Sequence, residues 1–311
     1  MKSLTVARNA MATRFEILLQ GESEIALRAA AEEALDQVEQ IEAQLSIYRP
    51  SSEISHVNAA AADGPVRVSP PVFSLLQKAA QLSTETDGAF DISIAPLVRC
   101  WGFMGASGTL PSTAALEQAR AVAGMHHVHL DPAASSVAFD RPGVMLDLGA
   151  IGKGYAIECA AGILRDAGVR HGLLHGGTST VAALGSDGNG SPWKVAIENP
   201  TAAASSLVIE LADQAVSVSA VWGKTFTAGG RSYGHVLDPR SGEPVSHAVL
   251  AAVAASSATE TDAFSTALLV VGSAGHDAIA RLRGGLQTVL LLPSNGGDAL
   301  RVERRSRQNV R

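Results

Sequence analysis

The sequence predicts an α+β fold in a single domain. Segments with helical spacing and segments with strand character both recur along its 311 residues, and the second half carries a run of strands before a last helical stretch. Neither an internal repeat nor a Pro/Ser-rich linker divides the chain. A hydrophobic content of 46% supports a sizeable core at this length.

In chain order, FEILL after MATR reads as a strand. SEIALRAAAEEALDQVEQIEAQLSIY then reads as a helix, with Ser23 as N-cap and Leu35, Val38, Ile41 and Leu45 at helical spacing. Its acids Glu32, Glu33, Asp36, Glu39 and Glu42 read as a solvated face. Arg49-Pro50 breaks the pattern, and SSEISHVNAAAADGP reads as loop and turn. A second helix starts near Ser69, where Pro70 and Pro71 suit a first turn, and ends at Thr86-Asp87-Gly88. FDISIAPLV is expected to be a strand, with WGF in the loop after it.

GMHHVHLDP places His127 and His129 on one face of an expected strand, a spacing that two zinc ligands can use. With no third ligand nearby, an ordinary edge strand is the better reading. VMLDLGAIGKGYAIECAAGILRDAGVRHGLLHGG reads as a strand ending at Asp147, a glycine turn, a helix from Lys153 to Ala167 and a second strand with its own glycine pair. WKVAIENP, SLVIEL and AVSVSAV follow as strands, and GHVLDPRSGEP as a turn. ALLVV begins a last helical stretch and QTVLLLP is the last expected strand. RVERRSRQNVR reads as a solvated basic tail, so the expected division is a domain over 1–300 and a tail over 301–311.

Composition excludes several classes of function. With 24 basic and 30 acidic residues and a net charge of −6, no overall basic field draws the protein to nucleic acid. Two cysteines, Cys100 and Cys159, make no disulfide framework and no CxxC pair, and read as small core residues. The N-terminus shows no signal-peptide pattern and no apolar run approaches the roughly 18 residues of a membrane span. A cytoplasmic location without a membrane span is the resulting expectation, with export by other means as the alternative.

Four groups of residues can carry chemistry. GAIGKG, residues 149–154, lacks the spacing of a Walker phosphate loop, but glycines between strand and helix permit close backbone approach, and helix N-terminal amides favour an anion. Lys153 adds a point charge there, while a tight turn with a surface lysine explains the same residues. Asp147, at the end of an apolar segment, needs a hydrogen-bond partner from the turn or from a ligand. His235 can exchange a proton near neutral pH, although a lone histidine beside a turn is more often structural. In TETDAFSTALLVVG, Asp262 and Thr266 share a helix face. They offer either a cap, with Asp262 accepting the Ser265 N–H, or two hard oxygens for Mg²⁺, and the stretch alone favours the cap.

Together these segments resemble the ApbE family, flavin transferases that move FMN from FAD onto a protein hydroxyl. The resemblance is carried in order by MATRF, LSIYRPSSEISHVNA, TDGAFDISIAPLV with WGF, LDLGAIGKGYAIE, HGGTSTVAALG, GHVLDPRSGEP and TDAFSTALLV, over about residues 10–273. It implies, together with the element pattern, a mixed, largely antiparallel sheet flanked by helices. It further implies FAD as substrate, held at Met11, Tyr48, Ala89, Phe90, Asp91, Asp147 and Lys153, with the Leu237 backbone against the flavin. Mg²⁺ would be bound by Asp262 and Thr266, with the carbonyls of Ala150 and Ser265 completing the shell, which turns the reading of TDAFST from cap to metal site. His235 would take the proton of an acceptor Thr or Ser as it attacks, giving flavinylated protein and AMP. With water as acceptor the site would be an FAD pyrophosphatase, and without turnover a flavin-binding protein. The chain departs from the common family pattern at Ala12 (usually Gly), Thr178 (Asp), Glu158 (Asp) and Ala220-Val221-Trp222 (Gly-Asp-Tyr).

Overall fold

The computed structural model describes residues 1–105, 108–197, 207–294 and 300–306. Its first element is a hairpin of β1 (Lys2–Ala10) and β2 (Thr13–Gly21), closed by Met11 and Ala12. Both turn residues have positive φ, 50° and 57°, which matches the twist of a two-residue hairpin but strains a side chain with a Cβ. Ala12→Gly is therefore expected to stabilise the fold by about 0.5–1 kcal/mol, read as a higher urea midpoint at unchanged slope.

Helix α1 (Glu24–Leu45) starts where expected, with Ser23 Oγ accepting the Ala26 N–H, and buries Leu35, Val38, Ile41 and Leu45. Three of its acids are not simply solvated. Arg8 on β1 pairs with Glu32 at 2.6 Å, with Asp36, and with Glu39 at 3.4 Å, tying the helix to the edge of the sheet. SSEISHV is not a loop but helix α2 (Glu53–Ala60), because Ser52 caps it by accepting the Ser55 N–H. Strand β3 (Val66–Arg67) and helix α3 (Pro70–Glu85) follow, the latter starting on its two prolines and closed by Thr86 as C-cap ahead of Asp87 and Gly88, both at positive φ.

FDISIAPLV is not a strand. Asp91 Oδ1 accepts the Ser93 N–H at 2.7 Å and starts a short 3-10 turn over Ile92–Ile94, which runs into α4 (Ala95–Cys100) with Pro96 in its first turn. Helix α5 (Thr113–Arg120) follows, then a 3-10 turn over Met125–His127 and the pair β4 (Val128–Asp131) and β5 (Ser136–Phe139). His127 thus precedes the strand that holds His129, is buried, and pairs through Nδ1 with Asp140 at 3.0 Å. Residues 144–148 are extended without a strand partner, so the expected strand ending at Asp147 is absent. The backbone there is satisfied locally: Asn58 brackets Leu146, and the Asp147 N–H donates to Ile92 O.

Helix α6 (Gly152–Asp166) leads to β6 (His171–Gly176) and β7 (Thr180–Leu184). Then come β8 (Trp193–Ile197), β9 (Leu207–Leu211), β10 (Ala215–Ala220), β11 (Thr225–Ala228), β12 (Arg231–Gly234) and β13 (Leu250–Ala255). Residues 198–200 of WKVAIENP and Ser206 of SLVIEL lie outside the described residues. The last helix, α7 (Ala258–Ala280), starts well before ALLVV, capped by Ser257. It has the length and apolar content of a membrane span, yet it packs against β10, β13, β14 (Gln287–Pro293) and α6. The basic end is not wholly a tail: β15 (Leu300–Ser306) pairs along β14, and its charged side chains suit an exposed sheet edge. Residues 307–311 of the expected tail lie outside the described residues.

The main sheet has the order β1-β2-β6-β7-β10-β13-β14-β15, and every one of its pairings is antiparallel, so it is less mixed than expected. Alternation along its strands sends Leu174, Ala182, Val253 and Leu290 toward α1, α6 and α7. Leu173, Val181, Ala252 and Leu291 face the other way, where Trp193, Ile197, Ile209 and Leu211 of the β8–β9 hairpin cover them. Fully burying a side chain such as Phe264, Leu268 or Leu269 of α7 contributes about 1.5–3 kcal/mol, which seats this helix firmly between sheet and α6. Cys100 and Cys159 are half-buried and free.

Candidate active site

The site forms where the N-terminus of α6 crosses the first turns of α7. Ser257, not Asp262, caps α7 by accepting the Glu260 N–H, and Glu158 of α6 strengthens that end by accepting from Ser257 Oγ at 2.6 Å and Thr259 N at 2.8 Å. Asp262 is left inside the helix with its carboxylate turned to α6. Its Oδ2 accepts the Gly154 N–H at 2.9 Å, a contact the bare glycine allows, since a Cβ on Gly154 would lie 2.2 Å from Ala258 O.

Asp262 is only 4% exposed, and its Oδ1 has no hydrogen-bond partner among the described residues. Burial pushes this carboxyl above the usual carboxylate range, with Lys153 and the Gly154 N–H pulling it back. Lys153, the second residue of α6, donates from Nζ to Gly149 O at 3.3 Å.

A row of hydroxyls continues from the carboxylate. The alternation of AVSVSA places Ser217 and Ser219 on the α7 side of β10, opposite Val216 and Val218. Ser217 joins Thr180 and Thr261 at 3.1 and 2.9 Å. Ser219 joins Ser265 at 2.8 Å and Thr266 at 3.0 Å, and Ser265 Oγ also donates to Asp262 O. Ser219 is a site residue that motif reading missed, although period-two alternation on β10 pointed to it.

Asp147 finds its partner in the glycine turn, accepting the Gly149 N–H at 2.8 Å. Burial raises its pKa while Gly149, Lys153 and Lys224 lower it; the Tyr48 phenol is raised first by desolvation and then by the Asp147 charge. His235 Nδ1 accepts the Lys224 N–H at 3.2 Å; burial lowers its pKa, as do the Lys224 and Lys153 charges, against an opposing pull from the Lys224 backbone. The charge of Lys153 thus acts on all three groups, Asp147, Asp262 and His235.

Other expected residues stand apart from this centre or act through backbone alone. Ala89 and Phe90 are buried in the core. The Asp91 carboxylate is committed to Ser93 and to the Met125 N–H at 3.0 Å, with burial raising its pKa and those bonds lowering it. Asp91 borders an open cleft of about 710 Å³ with Arg120, His126 and Arg240, which contains none of Asp262, Lys153 and His235. Leu237 is buried and bridges Pro244, while Met11 packs its side chain against the main core from the hairpin turn.

The donor set fits Mg²⁺. One buried carboxylate whose Oδ1 has no partner among the described residues, with the Thr266 hydroxyl and the Ser265 backbone within the same turn of α7 and the glycine turn with its Ala150 carbonyl just before α6, is a set of hard oxygens suited to that ion. Among the described residues no group of three His, Cys, Asp or Glu side chains stands ready for a softer metal.

Comparisons with known proteins place the chain in a family. The chain is 30% identical over 249 residues to the FAD:protein FMN transferase of Vibrio cholerae, covering 78% of this chain and 73% of the relative. It is 32% identical over 268 residues to one from Klebsiella pneumoniae, covering 85% and 82%. The crystal structure of the ApbE protein of Thermotoga maritima superposes with a TM-score of 0.88 at 26% identity, covering 97% of both chains. The flavin transferase ApbE of V. cholerae does so with a TM-score of 0.84 at 26% identity, over 98% and 97%. The ApbE family model matches residues 11–290, a span that holds β2, the glycine turn, His235 and α7 alike, and by that match the chain belongs to the ApbE family.

Proposed function

We propose that this protein is a Mg²⁺-dependent FAD:protein FMN transferase that moves FMN from FAD to a Thr or Ser hydroxyl of an acceptor protein and releases AMP. The observation that carries the reading is the buried Asp262 carboxylate, held through Oδ2 at the N-terminus of α6 and with no partner for Oδ1 among the described residues. The names of the relatives support the same activity.

Asp262, Thr266 and the carbonyls of Ala150 and Ser265 would hold the metal. When bound, Mg²⁺ offsets charge on the FAD pyrophosphate and on the departing AMP. Lys153 and the turn amides at the start of α6 supply fixed positive potential for the same phosphates, at no reorganisation cost during the reaction. Gly154 keeps Asp262 aimed by donating its N–H to Oδ2. The acceptor hydroxyl oxygen attacks the phosphorus on the FMN side, and the P–O bond to the AMP phosphate breaks with its electron pair leaving on AMP.

Chromatography of a reaction holding protein, FAD, Mg²⁺ and an acceptor domain with a target Thr tests this reading. One AMP per FAD consumed, with no matching free FMN, is expected. Free FMN in equal amount to AMP would make the protein a pyrophosphatase, and unchanged FAD a flavin-binding protein.

A further inference from the structure

The row of hydroxyls beside Asp262 has a direction, because each carries a single proton. Inside a helix a threonine hydroxyl ordinarily donates to the carbonyl four residues back, which for Thr266 is Asp262 O. That oxygen is already occupied. It takes the Thr266 N–H as part of the helix ladder, and Ser265 Oγ donates to it at 3.0 Å, so both of its lone pairs are in use. The Thr266 hydroxyl therefore turns off its own helix to Ser219 Oγ on β10, at 3.0 Å, its one hydrogen-bond partner among the described residues. Ser219 also meets Ser265 Oγ, at 2.8 Å. With the Ser265 proton on Asp262 O, Ser219 donates to Ser265 Oγ, and Thr266 in turn donates to Ser219 Oγ. Both lone pairs of Thr266 Oγ1 are then unengaged among the described residues. Exposure runs the same way: Ser265 is fully buried and Thr266 is partly open, so the free lone pairs belong to the oxygen a ligand can reach.

We propose that Ser219 is a positioning residue of the Mg²⁺ site, which takes the Thr266 proton so that this hydroxyl presents its lone pairs to the cation. This rests on the transferase reading given above and on its metal site. A hydroxyl ligates a cation only through a lone pair, and a proton turned toward a cation repels it. The site therefore requires an acceptor for the Thr266 proton that is not itself a ligand, the part that neighbours behind a metal's direct ligands play elsewhere. The carbonyl that would ordinarily serve is taken, and Ser219 is what the fold supplies in its place. The pairing of β10 with β13, with Ser219 opposite Ala251, and the alternation that turns Ser217 and Ser219 toward α7 hold it there. Ser265 acts one step further back: by committing its proton to Asp262 O, it draws the Ser219 proton away from Thr266.

Calorimetric titration of Mg²⁺ into wild type, Ser219→Ala and Ser219→Thr tests this without reference to turnover. Ser219→Ala removes the acceptor while Asp262, Thr266 and the Gly154 contact stay in place. Ser219→Thr keeps the hydroxyl on a residue type that suits a strand. Mg²⁺ affinity is expected to fall at least about tenfold in Ser219→Ala and to stay within about threefold of wild type in Ser219→Thr. Affinity within about threefold of wild type in Ser219→Ala overturns the proposal. An equal loss in both variants overturns it too, since the hydroxyl then contributes nothing beyond the packing of the strand. Wild type that binds no Mg²⁺ removes the metal site and the proposal with it, whereas binding by wild type with either of those two patterns strikes the proposal alone.

Discussion

Asp262→Asn is expected to lower the proposed Mg²⁺-dependent FMN transfer by about a thousandfold or more while the fold persists. The Asn side chain still offers an oxygen to the Gly154 N–H, so the contact between α6 and α7 at 2.9 Å survives the change. What disappears is the negative charge and the free carboxylate oxygen, the two properties that a hard cation requires of this position. Thr266 and Ser265 contribute neutral oxygens only, and Ser219 already bridges them. Calorimetric Mg²⁺ titration of the variant is expected to show no binding in the range where wild type binds. Transfer within tenfold of wild type, still stimulated by Mg²⁺, would remove Asp262 from the metal site.

Gly154→Ala is expected to destabilise the protein by about 3 kcal/mol and to abolish transfer with it. The added Cβ would sit 2.2 Å from Ala258 O and 2.6 Å from Asp262 Cβ, so backbone, not a flexible side-chain tip, has to move. Moving α6 away from α7 breaks the hydrogen bond that aims Asp262 and shifts Lys153, one residue away, relative to the carboxylate. Urea unfolding reads the first effect and product formation the second. An unchanged midpoint with full activity would mean that the helix crossing is not the closely packed contact described here.

Much of this arrangement was legible in the sequence, and what was missed has local causes. The α1 pattern and its Ser23 cap were readable because an amphipathic stripe and a side-chain cap are short-range signals. FDISIAPLV misled because its apolar residues alternate as in a strand, while Asp91 binding the Ser93 N–H and Pro96 in a helical first turn favour helix. The cap reading of Asp262 failed because Ser257, five residues earlier, takes that role with help from Glu158 on another helix. RVERRS read as a solvated tail because charge is what an edge strand and a disordered end share, and only pairing with β14 separates them. Asp147, Lys153, His235 and Asp262 were each visible as isolated residues. That the Lys153 charge acts on the other three depends on α6, α7 and the segment after β10 meeting in space, which no local pattern encodes.

The central claim is tested most directly by the intact mass of a Thr-bearing acceptor domain incubated with this protein and FAD, with Mg²⁺ and with chelator. The account predicts an acceptor heavier by one FMN at a single Thr or Ser, formed only with the metal present. An acceptor of unchanged mass beside consumed FAD, or modification that proceeds equally in chelator, would contradict it.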